Sequence, residues 1–254
     1  MTMQERLIVA LDESLDESRA IIEELGDHVQ FYKIGWRCFL QGNGAFVSDV
    51  VAAGKGKRVF LDLKIHDIDV TVEKAMASLP RDVSLTTLYG TGATVRAARE
   101  GRNGHGTPAL LLLTWLSSLD EADFHGMGGQ GSLRDFVVAR AIEAYEAGGE
   151  GVIASGEHVG AIRSELAKTY GKDADGFLLV VPGVRLAGGD VHEHKRSLTP
   201  YEAVRAGADY LVMGRPVARS PRGKRVEVVE RIFADMARAD RERHRDTAGS
   251  SAAW

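Results

Sequence analysis

The segment Arg58-Val59-Phe60-Leu61-Asp62-Leu63-Lys64-Ile65-His66-Asp67 begins as an apolar run and ends in a cluster of ionisable residues. A run of Val, Phe and Leu without polar alternation describes a strand buried on both faces, as in a parallel sheet covered by helices. The charges follow at its carboxyl end. Asp62 and Lys64 are two residues apart, so on an extended strand both point to one side and Leu63 to the other. Asp67 lies three residues beyond Lys64, where the chain should be turning into a helix. It either caps that helix or reaches a neighbouring subunit. From spacing alone, a structural ion-pair network closing a barrel mouth explains Asp62, Lys64 and Asp67 somewhat better than chemistry does.

Working outward, seven more strand-like runs appear: Arg6–Leu11, Gln30–Ile34, Val83–Leu88, Ala109–Leu113, Gly151–Ala154, Gly176–Val181 and Tyr210–Met213. With Arg58–Leu63 they make eight. Amphipathic stretches such as Ser14–Leu25, Thr71–Ser78, Leu133–Ala147 and Val159–Tyr170 lie between them. Eight such repeats in 254 residues predict an α/β chain folded as a single (β/α)8 TIM barrel, rather than a doubly wound sheet. The barrel is expected to occupy residues 1–240. The remainder, 241–254, is charged and then small and polar, and reads as a flexible C-terminal tail. Two long glycine-bearing loops, Ser118–Gly131 and Pro182–Thr199, suit either a mobile lid or a plain surface connection.

Composition narrows the function. A formal net charge of -4 gives no global basic field, so no nucleic-acid partner is expected. The apolar stretch Ala109 to Leu116 is far short of the ~20 residues that cross a bilayer, so no membrane span is expected. A single cysteine, Cys38, reads as a small apolar filler and fits a reducing compartment. The N-terminus does not have the pattern of a secretory leader. The expected location is cytoplasmic.

In such a barrel, side chains at the carboxyl ends of the strands face the active site. Those ends here carry Asp12, Lys33, Asp62 with Lys64, Tyr89, Thr114 with Ser118, Arg185 and Gly214-Arg215. Charged groups are costly inside a barrel unless paired or facing a wet cavity, so their gathering at one end implies a site. The last strand runs into Val212-Met213-Gly214-Arg215-Pro216. A glycine that admits an anion to the backbone, with one arginine, suits phosphate, and phosphate sites after strands seven and eight recur in these barrels. Arg185 and Arg215 both fall there. The histidines show no tight ligand cluster, and no metal site is expected.

At this point the residues resemble a known family, the orotidine 5′-phosphate decarboxylases. The resemblance is carried by Leu11-Asp12, Tyr32-Lys33-Ile34-Gly35, Phe60 through Ile68, Val181-Pro182-Gly183-Val184-Arg185, Leu198-Thr199-Pro200 and Gly214-Arg215-Pro216-Val217, in family order. It implies cofactor-independent conversion of orotidine 5′-monophosphate to uridine 5′-monophosphate in pyrimidine biosynthesis. It further implies that Asp12 and Lys33 bind ribose hydroxyls, that Asp62 and Lys64 flank the scissile carboxylate and C6, and that Ser118 meets the pyrimidine amide edge. Gly214 and Arg215 would bind the 5′-phosphate. Asp67 and Thr71 would enter the site of the partner in a homodimer. Lys64 would stabilise and protonate the C6 carbanion, with Asp62 and Asp67 keeping it charged. His66 reads as a structural residue or a supporting hydrogen-bond partner.

The sequence departs from the family pattern at Tyr89, where a histidine is common, at Ile68-Asp69 in place of Ile-Pro, and at His194, where a phosphate-binding glutamine is expected. His194 would make closure on the phosphate depend on pH. Two other readings remain: a magnesium-dependent sugar-phosphate decarboxylase or aldolase on the same barrel, and a barrel that binds a phosphorylated ligand without turnover. Lys33 and the intact Asp62, Lys64 and Asp67 argue against them.

Overall fold

The computed structural model describes residues 1–187 and 197–251, with side chains through residue 245. Eight parallel strands close into one barrel in sequence order. They are β1 (Leu7–Leu11), β2 (Phe31–Ile34), β3 (Arg58–Ile65), β4 (Val83–Leu88), β5 (Ala109–Leu113), β6 (Gly151–Ile153), β7 (Leu178–Pro182) and β8 (Tyr210–Met213). Around and before them run α1 (Met3–Arg6), α2 (Leu15–Leu25), α3 (Trp36–Gln41), α4 (Phe46–Ala52), α5 (Asp69–Ala77) and α6 (Gly92–Gly101). The second half adds α7 (Glu121–Gly126), α8 (Leu133–Glu146), α9 (Gly156–Tyr170), α10 (Pro200–Ala206), α11 (Arg215–Ala218) and α12 (Arg225–Ser251). The expected (β/α)8 architecture is what forms. No described helix is long and apolar enough to cross a membrane.

Apart from a register slip between Val83 and Leu85 on β4, the strands alternate although nearly all their residues are apolar. Ile8 and Ala10, Phe31, Phe60, Leu85, Leu111 and Leu113, Ile153, Val180, Tyr210 and Val212 pack together inside the barrel. Their neighbours Leu7, Val9, Leu11, Tyr32, Ile34, Val59, Leu61 and Leu211 join the larger layer under the helices. Each fully buried side chain of this size contributes about 1.5–3 kcal/mol, so the floor beneath the barrel mouth is a rigid apolar plug.

Several helix starts follow side-chain caps. Ser14 accepts from the Glu17 amide, and Ser132 from Asp135. Thr199 forms a capping box with Glu202 at α10. The loop 118–131 is not wholly irregular: Asp120 and Asp123 box the start of α7. Phe124 then anchors it, its ring centroid 5.6 Å from Trp115 and 5.0 Å from Phe136. In the other long loop, the Arg185 amide donates to Leu198 O at 3.0 Å, tying its two ends together. The stretch 241–251, expected as a tail, continues α12. Arg6 binds Asp240 at 2.7 Å, and Tyr201 donates to Glu242.

Candidate functional site

The inward series of each strand, continued past its last apolar residue, builds the site. After Ala10 comes Asp12, after Phe31 Lys33, after Phe60 Asp62, and after Leu85 Thr87. All stand at the carboxyl end of the barrel. Lys33 Nζ lies 2.9 Å from Asp12 Oδ1 and 3.4 Å from Asp62 Oδ2. Lys64 Nζ lies 2.9 Å from Asp62 Oδ1. The result is a chain of alternating charge, Asp12–Lys33–Asp62–Lys64. It runs from an open rim to a sheltered centre: the side chains are 58% exposed at Asp12 and 34% at Lys64, but 12% at Lys33 and Asp62.

Burial alone would push the Asp62 carboxyl up. The Lys33 ammonium, then Lys64, and hydrogen bonds from Lys64 and Thr87 outweigh it, so the group is held below the ordinary carboxylate range. Lys33 shows the mirror image. Burial would lower it, but Asp62 and Asp12 together hold it above the usual lysine range. Both partners therefore stay ionised at neutral pH. Gly35 serves this arrangement, because a Cβ there would sit 3.2 Å from both Asp12 Oδ1 and Lys33 Nζ.

The simple strand geometry expected for Asp62 and Lys64 is not what places them. Pairing with β4 steps from Leu61↔Thr86 to Ile65↔Leu88, so the ladder is interrupted where the two charges lie. Lys64 takes a left-handed backbone, φ 52°. Such a residue is uncommon outside glycine and is informative when it sits at a site.

Lys33, Asp62 and Lys64 form one wall of a cavity of about 190 Å³ whose floor is Phe60, Leu113, Ile153 and Val212. Leu116, Ser117 and Pro182 line both this cavity and a neighbouring one of about 530 Å³ between the ends of β5, β6 and β7. The joined space is in the range of ~300–1,000 Å³ common for small-molecule sites. Ser118 lines the larger cavity, and Ser117, which sequence reasoning passed over, lines both.

Arg185 follows β7 and Arg215 follows β8. Burial, then the charges of Arg215 and Arg219, push the Arg185 guanidinium below its ordinary value. Like charges gathered in this way favour an anion between them. Gly214 brings the β8 turn against β1; a Cβ there would lie 3.4 Å from Ala10 Cβ and 3.6 Å from Asp12 Oδ2.

Asp67 and Thr71 do not join this cluster. Asp67 accepts from the Ile68 amide at 2.7 Å and is exposed, as are His66, Ile68, Asp69, Val70 and Thr71. Among the described residues, the ion pairs of this chain do not include one between Asp67 and Lys64. Tyr89 stacks edge-on against His66 at 5.6 Å. His194, like Gly188, Gly189 and His192, lies outside the described residues. Among the described residues, no group of three or more His, Cys, Asp or Glu is placed to hold a metal.

The chain is similar to proteins of one family. A family model described as the orotidine 5′-phosphate decarboxylase / HUMPS family matches residues 5–232. The chain is 40% identical over 240 residues to a protein of Nitrobacter winogradskyi named orotidine 5′-phosphate decarboxylase, covering 93% of this chain and 96% of that one. A protein of the same name from Bradyrhizobium diazoefficiens is 41% identical over 238 residues, covering 93% and 95%. The crystal structure of orotidine 5′-phosphate decarboxylase from Lactobacillus acidophilus superposes with a TM-score of 0.73 at 28% identity, over 91% of this chain and 98% of that one.

Proposed function

The chain belongs to the orotidine 5′-phosphate decarboxylase / HUMPS family, and on that premise we propose that it is a carbon–carbon lyase that converts orotidine 5′-monophosphate to uridine 5′-monophosphate in pyrimidine biosynthesis. The observation that carries the reading is the Lys33–Asp62–Lys64 chain on the wall of an apolar-floored cavity that continues toward a second, larger space. The guanidinium corner of Arg185 and Arg215 provides for the phosphate.

In this reading the bond between C6 and the carboxylate carbon breaks, and its electron pair stays on C6 as CO2 leaves. That pair occupies an sp2 orbital orthogonal to the ring π-system, so the ring does not delocalise it well. Fixed charge must do the stabilising. The Lys64 ammonium supplies a cation beside C6 and then gives its proton to that carbon. Solvent returns a proton to the amine. Asp62 holds Lys64 Nζ at 2.9 Å and keeps it aimed. Asp12 and Lys33 meet the ribose hydroxyls, Ser118 the pyrimidine amide edge, and Gly214, Arg215, Arg185 and His194 the phosphate. Asp67 and Thr71 act in the partner's site of a cytoplasmic homodimer. No metal or organic cofactor takes part. Remote phosphate binding supports the transition state at the other end of the substrate.

The test follows the loss of orotidine 5′-monophosphate absorbance by the purified enzyme in EDTA. Turnover is expected. A requirement for added magnesium, or ligand binding without turnover, would overturn the proposal.

A further inference from the structure

We propose that Thr87 is a positioning residue for this reaction, its buried hydroxyl fixing the Asp62 carboxylate that in turn holds Lys64. The inference rests on the decarboxylase reading. Thr87 is fully buried on β4, next in the inward series after Leu85. Its Oγ1 donates to Asp62 Oδ1 at 2.8 Å. The same oxygen accepts from Lys64 Nζ at 2.9 Å, while Oδ2 faces Lys33 at 3.4 Å.

Two ammonium groups alone do not fix the carboxylate. The terminal torsion of aspartate is broad and roughly two-fold, and Lys64 and Lys33 each attract either oxygen. A neutral donor from the adjacent strand breaks that symmetry. It marks one oxygen as the Lys64 acceptor and sets the carboxylate plane. It also adds a charge-assisted bond that favours the ionised form.

Thr86 supplies an internal control. It too is fully buried, but its hydroxyl donates to the backbone carbonyl of Leu61 at 3.1 Å, on the other face of the strand. Removing either hydroxyl deletes one buried bond; removal at Thr87 alone disturbs Asp62.

The experiment measures kcat and KM for orotidine 5′-monophosphate across the acid range, in the wild-type enzyme, T87V, T87S and T86V, with thermal melting for each. Loss of a hydrogen bond to a charged group predicts a fall in kcat of about 10- to 100-fold in T87V, with KM changing less than about threefold. Because the Thr87 bond lowers the Asp62 pKa, its loss moves the acid limb of kcat to higher pH. T87S restores both rate and limb. T86V loses stability but leaves the limb in place. If T87V does not fold, T87A is read in the same way. A folded T87V with wild-type rate and limb overturns the assignment. So does a T87V that loses rate no more than T86V with an unmoved limb. A wild-type enzyme without turnover would instead overturn the decarboxylase reading, and this inference with it.

Discussion

Lys64 Nζ sits 2.9 Å from Asp62 Oδ1, the two residues standing two apart on a strand whose ladder is interrupted between Leu61 and Ile65. The Lys64 backbone is left-handed at φ 52°. For a residue with a Cβ, that conformation costs roughly 1–2 kcal/mol. The surrounding barrel imposes it at the residue proposed above as the proton donor.

Replacing Lys64 by glycine and by alanine separates backbone from side chain. Both variants lose the ammonium and should lose turnover while still binding the nucleotide. The glycine variant should be the more stable by about 1 kcal/mol, because it adopts positive φ without a Cβ penalty. In a chain of this size that is a difference of about 2–4 °C in Tm. Calorimetry on the pair gives the answer, and equal melting would mean that the left-handed turn stores no strain.

The depressed Asp62 carboxyl gives the fold a pH dependence of definite sign. Its folded pKa lies below its unfolded value. Its contribution is therefore complete above the ordinary carboxylate pKa of about 3.9 and is lost as pH falls through the folded value. The Asp62→Asn variant lacks this term, so its stability should fall less steeply over that acid window. Lys33 contributes in the opposite direction: raised when folded, it supports the fold below the ordinary lysine pKa, and that support is lost as pH rises through the folded value. Urea titrations over a pH series compare the slopes, and parallel curves for wild type and Asp62→Asn would contradict the assignment.

The barrel was legible because buried parallel strands leave unbroken apolar runs. The eight runs found by pattern overlap the strands, with ends differing by a residue or two, as at Gly176–Val181 against the observed Leu178–Pro182. The rim charges were legible too, since Asp12, Lys33 and Asp62 cannot be buried inside a barrel without partners. Three features were not. The interruption at Lys64 has no glycine or proline to announce it. The helix α7 is short and held by tertiary contact of Phe124 with Trp115 and Phe136, which local pattern does not record. Thr87 reads as an ordinary β-branched strand residue. Only the inward parity that joins it to Leu85 distinguishes it from Thr86.

Arg215 tests the phosphate corner. It lies at the start of α11, and its charge presses on Arg185. Arg215→Ala should lower kcat/KM by about 10- to 100-fold, the range for losing a bond to a charged group. The fold should remain, because α11 is one turn at the barrel rim. Added salt should raise the wild-type KM more than that of the variant, since screening acts on the charge removed. Steady-state kinetics at two ionic strengths, with circular dichroism for the fold, measure this; an unchanged kcat/KM would remove Arg215 from the site.

Asp67 and Thr71 test the assembly. In the single chain both are exposed beside Ile68, 68% exposed, and Val70, 50% exposed. Apolar side chains at a barrel mouth next to two polar ones suit a subunit boundary better than open water. If each Asp67 serves the opposite Lys64, then Asp67→Ala and Lys64→Ala homodimers are both inactive, each lacking one of the two groups at every site. Mixing the two variants under conditions that exchange subunits forms heterodimers in which one site unites the intact Lys64 with the intact Asp67. Activity should return with the kinetics of exchange. The other site of that heterodimer lacks both groups and contributes nothing. Mixing that recovers no activity, with exchange verified by a mass-tagged subunit, would place Asp67 in its own chain's site or outside the reaction altogether.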